Sequence, residues 1–578
     1  MSEQNNLKIA IAQINPHVGA IEKNTQIIIK AAKHAKELGA DILVAPELSL
    51  TGYPPEDLLL RSGFINKTQQ AVDELVSHSQ LGVDMVIGYP KNEGGELFNV
   101  AGVFIDGELV CEYKKQELPN YSVFDEKRYF TAGNQACVLQ YKGHHLGISI
   151  CEDIWHDRAV EQSVAAGAGL IINLNASPFH TQKIPERLDI VKNKAEKVGR
   201  TIVYVNQVGG QDELVFDGAS FVIDPNGNIQ QQSPCFEEDV SLIECSIDKQ
   251  GNSEVLPTRV HSLPDSIVNG VEFDGGYNEI PSDGKHRVEE NEAMIYQALV
   301  CGLKDYVDKN GFNGVVLGLS GGIDSALTLA IAVDALGAER VVAIMMPFKY
   351  TSKLSKSAAQ EQAENLGVQY QSVSIEPMYE AFVSQLQPIF EGKEADTTEE
   401  NIQARCRGLL LMAYSNKMGH MVLTTGNKSE MAVGYATLYG DMVGGYSAIK
   451  DVYKTLVYDL SRYRNRLAKH QGQVERVPTS VIDRPPSAEL APDQKDSDSL
   501  PPYDVLDGIL KLYIEDELSP PQIVKAGYKK EDVNRVAWMV KRNEYKRRQS
   551  APGVRILKKA FGRDRRYPIT SGYEFKAE

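Results

Sequence analysis

Short apolar runs alternate with amphipathic stretches over residues 8–224. The apolar runs, beginning with LKIAIAQI and DILVAPE, have the length and composition of β-strands. Between them, stretches such as 21–38 and 187–198 place apolar residues at helical spacing. Many strands interleaved with helices predict a layered α/β domain.

The pattern changes after about residue 250. Residues 251–285 are rich in Gly, Pro, Ser and Asp and have little periodicity, which is typical of a linker. A helical stretch follows, and a second α/β run then begins with the strand GVVLGL and the helix DSALTLAIAVDAL. The sequence therefore predicts two domains, 1–250 and 286–578, joined by a linker at 251–285.

Composition narrows the range of functions. The 578 residues carry a net charge of −17, with 42% hydrophobic and 24% charged residues, which is an ordinary globular composition. The acidic balance argues against a nucleic-acid coat, and no apolar run approaches the length of a membrane span. The seven scattered cysteines and the lack of a signal-peptide pattern lead us to expect a cytoplasmic protein with no membrane partner.

Three chemically suggestive residues stand near the ends of predicted strands in the first half. Glu47 follows DILVAP, Cys151 ends HLGISI, and Lys115 lies in EYKKQELPNY. Side chains at strand ends meet in the clefts of α/β folds. A carboxylate could activate the thiol, and an ammonium could stabilise an oxyanion. Each residue alone is more often structural, so only the combination suggests catalysis.

The segments PELSLTGYPPEDL, KKQELPNYSVFDEKRYF and GISICEDIW together resemble the nitrilase superfamily. The resemblance implies an α-β-β-α sandwich whose site has Glu47 as general base, Lys115 as oxyanion support and Cys151 as nucleophile. In that family the lysine precedes a leucine by three residues, so Leu118 favours Lys115 over Lys114, which stays open as an alternative. The glutamine-hydrolysing branch further implies substrate-binding roles for Tyr121, Glu126, Ser177 and Lys183, although Gln182 replaces that branch's usual Gly.

The most specific signal in the second half is GLSGGIDSAL, at residues 318–327. An apolar strand runs into a Ser-Gly-Gly turn and then into a helix. Glycines allow close backbone approach to an anion, and the first N–H groups of the helix supply donors. This pattern predicts a phosphate-binding turn. It is not a Walker A loop, because no Gly-Lys-Ser/Thr follows.

The same turn resembles the pyrophosphate loop of the N-type ATP pyrophosphatases, which implies a doubly wound parallel-sheet domain. It also implies ATP as co-substrate and Mg²⁺ as cofactor, because Asp324 is expected to reach that cation. The residues implied to hold ATP in this turn are Gly318, Leu319, Ser320, Gly321, Gly322, Ile323, Asp324 and Ser325.

A further segment, VLTTGNKSEMAVGYATLYGD, resembles NAD synthetase. The resemblance implies ATP contacts for Thr425 and Lys454, and a Mg²⁺ and dinucleotide contact for Glu430. It also implies deamido-NAD binding by the residues Asn401, Arg405 and Lys546. The polar stretch 472–498 is either a mobile lid over the intermediate or a plain loop, and the sequence leaves both open.

Both modules occur in this order in the glutamine-dependent NAD synthetases, a resemblance that covers residues 8–568. It implies small-molecule substrates (deamido-NAD, ATP and L-glutamine), a homo-oligomer, and an internal ammonia passage. One alternative is another glutamine-dependent amidotransferase of the ATP pyrophosphatase superfamily. A tRNA-thiolating enzyme is disfavoured by the net charge and by the settings of Cys301 and Cys406. A non-enzymatic first half is disfavoured because all three triad positions are filled.

Overall fold

The computed structural model describes residues 6–247, 253–256, 261–262, 288–486, 489–491, 500–573 and 576–577. It divides into two compact units, Met1–Val268 and Asn269–Glu578. Within the predicted linker 251–285, two short strands pair with the strand Asp239–Ile247, and the rest lies outside the described residues. Most of the second half of the stretch 472–498 also lies outside them. Within the described ranges, no helix is long and apolar enough to cross a membrane.

The first unit contains sixteen strands and four α-helices among its described residues. The strands are β1 (Leu7–Gln13), β2 (Ile42–Val44), β3 (Asp84–Glu93), β4 (Glu96–Ile105), β5 (Glu108–Lys114), β6 (Cys137–Tyr141), β7 (His144–Ile150), β8 (Leu170–Asn175), β9 (Thr201–Asn206), β10 (Val208–Gln211), β11 (Leu214–Asp217), β12 (Phe221–Ile223), β13 (Ile229–Gln232), β14 (Asp239–Ile247), β15 (Ser253–Leu256) and β16 (His261–Ser262). The helices are α1 (Ile21–Glu37), α2 (Ser62–His78), α3 (Asp157–Ala165) and α4 (Lys183–Val198).

Two sheets form the centre of this unit. An eight-stranded sheet runs in the order β15-β14-β1-β2-β3-β4-β5, with β16 beside β14. A six-stranded sheet runs in the order β13-β12-β9-β8-β7-β6. Strands β1, β2 and β3 are parallel to one another, as are β7, β8 and β9. The chain leaves β2 toward Glu47 and leaves β7 at Cys151, so each sheet contributes a site residue from a strand end.

Alternating residues of each strand bury the two faces of each sheet. Ile9 of β1 and Ile148 of β7 lie in the core between the sheets, whereas Ala10 packs with Ile28 of α1 on the outer face. On the outer face of the second sheet, Val191 of α4 belongs to a third apolar cluster. The predicted α-β-β-α sandwich is confirmed.

The second unit contains five described strands and twelve described α-helices. The strands are β17 (Val315–Gly318), β18 (Val341–Met345), β19 (Gln369–Ser372), β20 (Met421–Thr424) and β21 (Tyr446–Ser447). The helices are α5 (Val288–Lys309), α6 (Ile323–Leu336), α7 (Lys353–Leu366), α8 (Glu376–Leu386), α9 (Thr397–Met418), α10 (Lys428–Val433), α11 (Lys454–His470), α12 (Thr479–Ile482), α13 (Tyr503–Leu510), α14 (Pro520–Lys525), α15 (Lys530–Arg542) and α16 (Glu544–Arg547).

All five strands are parallel and lie in the order β19-β18-β17-β20-β21. Helix α6 packs against β17 and β18, and α9 packs against β17 and β20. The chain moves outward from β17 to β19 and then returns to the other side of β17, so the strand order reverses between β17 and β20. Open α/β sheets bind ligands at such a reversal, beyond the carboxyl ends of the strands. The predicted doubly wound parallel sheet is confirmed.

Candidate active sites

Glu47 is the centre of a buried hydrogen-bond network in the first unit. Its side chain is 1% exposed, and its Oε1 accepts hydrogen bonds from Lys115 Nζ at 2.6 Å and from Asn99 Nδ2 at 2.8 Å. Its Oε2 accepts from the backbone N–H of Ala176 at 3.0 Å, just past the end of β8. Because both oxygens are fixed, the carboxylate has a single orientation.

Lys115 follows β5 and lies between two carboxylates. Its Nζ donates to Glu126 Oε1 and Oε2 at 2.8 and 2.9 Å, and Tyr53 OH also donates to Glu126 Oε1 at 2.9 Å. Burial alone would lower the pKa of Lys115, but Glu126 and Glu47 raise it well above its usual range. Burial raises the pKa of Glu126 to about 7, even though the Lys115 ammonium opposes the shift. Lys115 therefore remains a cation within the site.

Cys151 is the first residue after β7 and has an unusual backbone. Its φ of 44° lies in the left-handed region, which non-glycine residues occupy mainly in turns and at functional sites. The residue is 4% exposed. Burial raises the pKa of its thiol, Glu47 raises it further, and Lys115 opposes the shift. A thiol held protonated in this way needs a neighbouring base before it can act as a nucleophile.

Asp153, which the sequence did not single out, joins the Cys151 turn to the Lys115 segment. Its Oδ2 accepts from the Ile150 N–H at 2.9 Å and from Tyr113 OH at 2.8 Å. Its Oδ1 accepts from the N–H groups of Gln116 at 3.1 Å and Glu117 at 2.8 Å. Burial raises the pKa of Asp153 to about 6. The motif CEDIW contains this residue, but three of its four donors come from residues 113–117, which the sequence does not show to be neighbours.

The predicted glutamine-binding residues Tyr121 and Lys183 lie near the thiol. Tyr121 is 53% exposed and donates to both oxygens of Glu152 at 3.1 Å. Lys183 begins α4, and its Nζ lies 3.8 Å from the centre of the Trp155 ring. Tyr121 thus contacts the residue that follows Cys151, and Lys183 contacts Trp155, four residues after Cys151. Glu152 and Trp155 are additions to the predicted set.

Ser177 lies beyond the end of β8, next to the Ala176 N–H that holds Glu47. Its own N–H donates to Asn206 Oδ1 at 2.9 Å, and the residue is 2% exposed. The structure therefore brings Ser177 to the same end of the second sheet as Cys151. Asn206 and Asn99 fix this part of the site and were not predicted.

The second site is the turn between β17 and α6. Gly321 has φ 78°, and a Cβ there would lie 2.3 Å from the backbone oxygen of Ser355. Ser320 Oγ accepts from the Gly322 N–H at 3.2 Å, while Ser325 Oγ accepts from the Ser320 N–H at 3.2 Å. The turn is thus held by its own hydroxyl groups at the amino end of the long helix α6, where an anion is favoured.

Two carboxylates and one ammonium face each other beside this turn. Lys454 Nζ lies 2.5 Å from Asp324 Oδ2 and 3.2 Å from Glu430 Oε1. Asn427 Nδ2 donates to Asp324 Oδ1 at 2.8 Å. Within the described ranges no group of three or more His, Cys, Asp or Glu residues could hold a metal on its own. Mg²⁺, however, is usually bound by one or two carboxylates plus substrate phosphates, and Asp324 and Glu430 match that donor set.

A cleft opens between the turn and the end of β20. Of the predicted residues, those that line it are Gly318, Leu319, Ser320, Gly322, Ile323, Asp324, Ser325, Thr425, Glu430 and Lys454. Gly321 instead faces Ser355. The cleft is also lined by Arg407, which was not predicted and whose Nε donates to the carbonyl oxygen of Met346 at 3.1 Å.

Of the four residues predicted to bind deamido-NAD, only Glu430 is among those that line this cleft; Asn401, Arg405 and Lys546 are not. They instead contact the segment 434–438. Asn401 Oδ1 accepts from Thr437 Oγ1 at 2.9 Å, and exposed Arg405 donates from Nε to the carbonyl oxygen of Leu438 at 3.3 Å. Lys546 Nζ donates to the carbonyl oxygens at positions 434 and 436, at 2.8 and 2.7 Å.

The two units match two family models. Residues 8–252 match the carbon-nitrogen hydrolase family, and residues 295–550 match the NAD synthase family. The chain therefore combines a carbon-nitrogen hydrolase module, which contains Glu47, Lys115 and Cys151, with an NAD synthase module, which contains the turn 318–325.

Similar proteins combine the same two modules. The chain is 47% identical over 567 residues to a glutamine-dependent NAD(+) synthetase of Acinetobacter baylyi, covering 98% of each. It is 44% identical to the Thermotoga maritima enzyme of that name, covering 98% of this chain and 99% of the relative. A structure of the Acinetobacter baumannii enzyme in complex with ADP is 45% identical, with a TM-score of 0.74, covering 99% of this chain and 100% of that one. The chain belongs to the glutamine-dependent NAD(+) synthetase family, and the family resemblance seen in the sequence is confirmed.

Proposed function

We propose that the protein amidates deamido-NAD to NAD, using ATP for activation and L-glutamine as the source of ammonia. The products are NAD, AMP, pyrophosphate and glutamate. The observation that supports this most directly is the presence of two chemically different sites in one chain. One is the buried network of Glu47, Lys115 and Cys151, and the other is the turn 318–325 at the switch point of the parallel sheet.

In the first site, Glu47 removes the proton from the Cys151 thiol, and the thiolate attacks the side-chain carbonyl carbon of glutamine. The oxyanion that forms is stabilised by the ammonium of Lys115, which its carboxylate neighbours keep protonated. Glu47 then passes its proton to the leaving nitrogen, so ammonia departs and a γ-glutamyl thioester remains. Water, deprotonated by Glu47, hydrolyses the thioester to glutamate and restores the thiol.

Glutamine recognition is assigned to the residues around the thiol. Tyr121, which reaches Glu152, together with Lys183 and Ser177, would hold the amino-acid end of the substrate. Glu126 keeps Lys115 in place through two hydrogen bonds and would not contact the reacting carbon. Charged and polar groups of this kind suit a zwitterionic substrate.

In the second site, the N–H groups of the turn 318–325 bind the β- and γ-phosphates of ATP, and Thr425 and Lys454 contact the nucleotide. The nicotinate carboxylate of deamido-NAD attacks the α-phosphorus, forming an acyl adenylate and releasing pyrophosphate. Ammonia then displaces AMP from the acyl carbon, leaving the carboxamide of NAD. Mg²⁺, held by Asp324 and Glu430, would offset the phosphate charge. Asn401, Arg405 and Lys546 would bind the dinucleotide from around the segment 434–438.

We propose that residues 1–250 carry the glutaminase activity and that residues 286–578 carry the synthetase activity. The cellular setting we propose is the cytoplasm. The seven cysteines, all within the described residues, form no disulfide, which fits a reducing compartment that also supplies ATP.

We also propose that the protein is a homo-oligomer that associates through α8 and α9. Large apolar side chains are exposed on these helices and in the connection between them: Phe382 at 47%, Leu409 at 57% and Met418 at 48% on the helices, and Ile389 at 73% between them. Exposed apolar surface on this scale marks interfaces. Sedimentation of the protein and of a Leu409→Lys variant tests this. Association should weaken in the variant, and an unchanged mass would contradict the proposal.

The deciding experiment for the function compares two ammonia sources in two proteins. NAD and AMP are measured from deamido-NAD and ATP, with glutamine or with ammonium, for the wild type and for Cys151→Ala. The variant should keep its ammonium-supported activity and lose NAD formation from glutamine. Cys245→Ala, at a buried cysteine of β14, is the control and should behave like the wild type. Full glutamine activity in Cys151→Ala would overturn the triad, and no NAD from either donor would overturn the synthetase.

A further inference from the structure

Two cysteines outside the triad lie in contact in the first unit. Cys111 is on β5, the edge strand of the eight-stranded sheet, and Cys137 begins β6, the edge strand of the six-stranded sheet. Their Sγ atoms are 3.5 Å apart, and both residues are half-buried against the core between the sheets. A disulfide needs the two sulfurs to approach to about 2.05 Å, so only a small side-chain movement separates the two states.

The segment between these cysteines contains much of the glutamine site. Residues 112–136 include Lys115, Tyr121 and Glu126. The ends of the segment are already held together, because the Gly133 N–H donates to the Lys115 carbonyl oxygen at 2.8 Å. A disulfide between Cys111 and Cys137 would therefore join two ends of the segment that this backbone hydrogen bond already holds close together.

The two cysteines also lie close to the catalytic positions in the sheets. β5, which contains Cys111, ends immediately before Lys115. Cys137 on β6 pairs with Ile148 of β7, the strand that leads directly to Cys151. A link between Cys111 and Cys137 would thus join the strand that leads to Lys115 to the neighbour of the strand that leads to Cys151.

We propose that Cys111 and Cys137 form a reversible disulfide when the protein reacts with a peroxide. This disulfide joins the two ends of the segment 112–136. One thiolate attacks a peroxide oxygen and breaks the O–O bond, giving a sulfenic acid and, for hydrogen peroxide, one water. The sulfur of the second cysteine then attacks the sulfenic sulfur, and its thiol proton leaves with the hydroxyl as a second water. The two cysteines together lose two electrons and two protons, and the peroxide gains them. A dithiol reverses the reaction by exchange.

The contact between the sulfurs favours the first step. Cys137 Sγ and Cys111 Sγ lie within hydrogen-bond distance, so the thiol of one cysteine stabilises a thiolate on the other. Whichever cysteine forms the sulfenic acid, the other is in place to resolve it. Because the sulfurs are already in contact, the bond should form in the folded protein without displacing Lys115.

The test uses the full-length protein in a Cys151→Ala background, so that the catalytic thiol does not react. The folded protein is treated with hydrogen peroxide, digested without reduction and mapped by mass spectrometry. A peptide linking Cys111 to Cys137 should appear, two thiols should be lost per chain, and dithiothreitol should restore both. The linked protein should also unfold at a higher temperature than the reduced one, because the bond restricts the unfolded chain.

Two further variants keep the proposal falsifiable. Cys137→Ser should abolish both the linked peptide and the rise in unfolding temperature, whereas Cys245→Ser should change neither. Cys111→Ser and Cys137→Ser should each leave a sulfenic acid on the remaining cysteine of the pair, which a dimedone probe labels. A linked peptide that forms only in urea would overturn the proposal, as would a lower unfolding temperature in the linked protein or a rise that persists in Cys137→Ser.

Discussion

The two sites differ in how much of their hydrogen bonding is already made between the protein's own side chains. In the first unit Glu47 and Lys115 are each 1% exposed and lie 2.6 Å apart, and Cys151 is 4% exposed. In the second unit the side chains of Asp324 and Glu430 are each 17% exposed, and Ser320 is exposed at the mouth of the turn. One site is closed and its polar groups bond to one another, whereas the other opens into a cleft.

This difference fits the chemistry proposed for each site. Covalent catalysis needs a thiol, a base and a cation fixed at short distances before the substrate arrives. In a nucleotide site, part of the charge compensation can come from the bound ligand. Here Lys454 is already paired with Asp324 and Glu430, so the proposed binding of phosphates would rearrange those contacts. Under the proposed function, the first site is preorganised by the protein and the second is completed by its substrates.

The largest expected effect comes from Gly321→Ala, which alters the turn without touching the triad. The new Cβ would lie 2.3 Å from the Ser355 carbonyl oxygen, and φ 78° is unfavourable for alanine. Because the phosphate donors would move, NAD formation should fall on the order of 100-fold with either nitrogen source. Glutamate release from glutamine, measured without ATP, should persist.

Gly367→Ala is the matched control for that change. Gly367 also has positive φ, at 69°, but nothing lies within 4 Å of its Cβ position. Its substitution should leave NAD formation near the wild-type rate. Equal losses in the two variants would mean that backbone strain, rather than the geometry of the turn, explains the result.

The next effect tests the preorganisation of the first site. Asp153→Asn replaces a carboxylate whose four partners are all donors, so the amide nitrogen must face an N–H or a hydroxyl group. The kcat for glutamine should fall roughly 10- to 100-fold, with little change in the KM for glutamine, because orientation is lost and binding is not. Ammonium-supported synthesis should be unchanged.

Asp157→Asn provides the comparison for Asp153→Asn. Asp157 is a nearby acidic residue whose side chain is 54% exposed and pairs with lysines of α4. Its substitution should leave both kinetic constants near wild type. If Asp153→Asn raised KM and left kcat intact, Asp153 would not be a positioning residue.

A smaller effect is expected for Tyr121→Phe at the rim of the first site. The hydroxyl donates to Glu152, and its loss removes one hydrogen bond near the proposed substrate. The KM for glutamine should rise roughly 2- to 10-fold, the range that one hydrogen bond supports. Tyr129→Phe, whose hydroxyl bonds to Asp57 at 2.7 Å, should leave KM unchanged. A fall in kcat alone would contradict a binding role for Tyr121.

The smallest expected effect is a change in the pH dependence of stability. Burial raises the pKa of Glu126 from its ordinary range to about 7. The protonated form of Glu126 contributes stability that is fully present below the pKa that Glu126 has in the unfolded chain. This contribution is lost as the pH rises through 7. Between pH 5 and pH 7.5 the first transition in thermal unfolding should therefore fall more steeply in the wild type than in Glu126→Gln. The difference should be on the order of 3 °C.

Glu74→Gln, at an exposed carboxylate of α2, controls for the loss of one negative charge. Its unfolding profile should follow the wild type across that pH range. A Glu126→Gln profile parallel to the wild type would show that Glu126 does not titrate between folded and unfolded states in this range.

The sequence was most informative where chemistry coincides with a local pattern. Glu47 and Cys151 were found because each follows an apolar strand, and parallel strands bring their ends together. The turn 318–325 was found because its glycines, serines and helix start are consecutive. In both cases the interacting groups are close in sequence or stand at equivalent positions in the fold.

The residues that the sequence missed interact through long-range contacts. Asp153 accepts hydrogen bonds from backbone N–H groups of the segment after Lys115. Every residue except proline has such a group, so the residue types in that segment do not reveal the contact. Arg407 reaches the cleft while Arg405, two residues away on the same helix, is exposed on another face. A helix rotates by about 100° per residue, so tertiary packing decides which arginine faces the sheet.

The pairing of β1 with β14 has a consequence for the synthesis of the protein. Leu7 pairs with Cys245 and Gln13 with Asp239, so one flank of the first strand is completed only by a strand near residue 247. During translation at about 5 to 20 residues per second, that flank would stay open for roughly 12 to 50 seconds. The nascent chain thus exposes an unpaired strand edge until almost half of the 578 residues have been made. Synthesis of this protein should therefore depend on ribosome-associated chaperones more than the finished sheet, in which β1 is paired on both sides, would suggest.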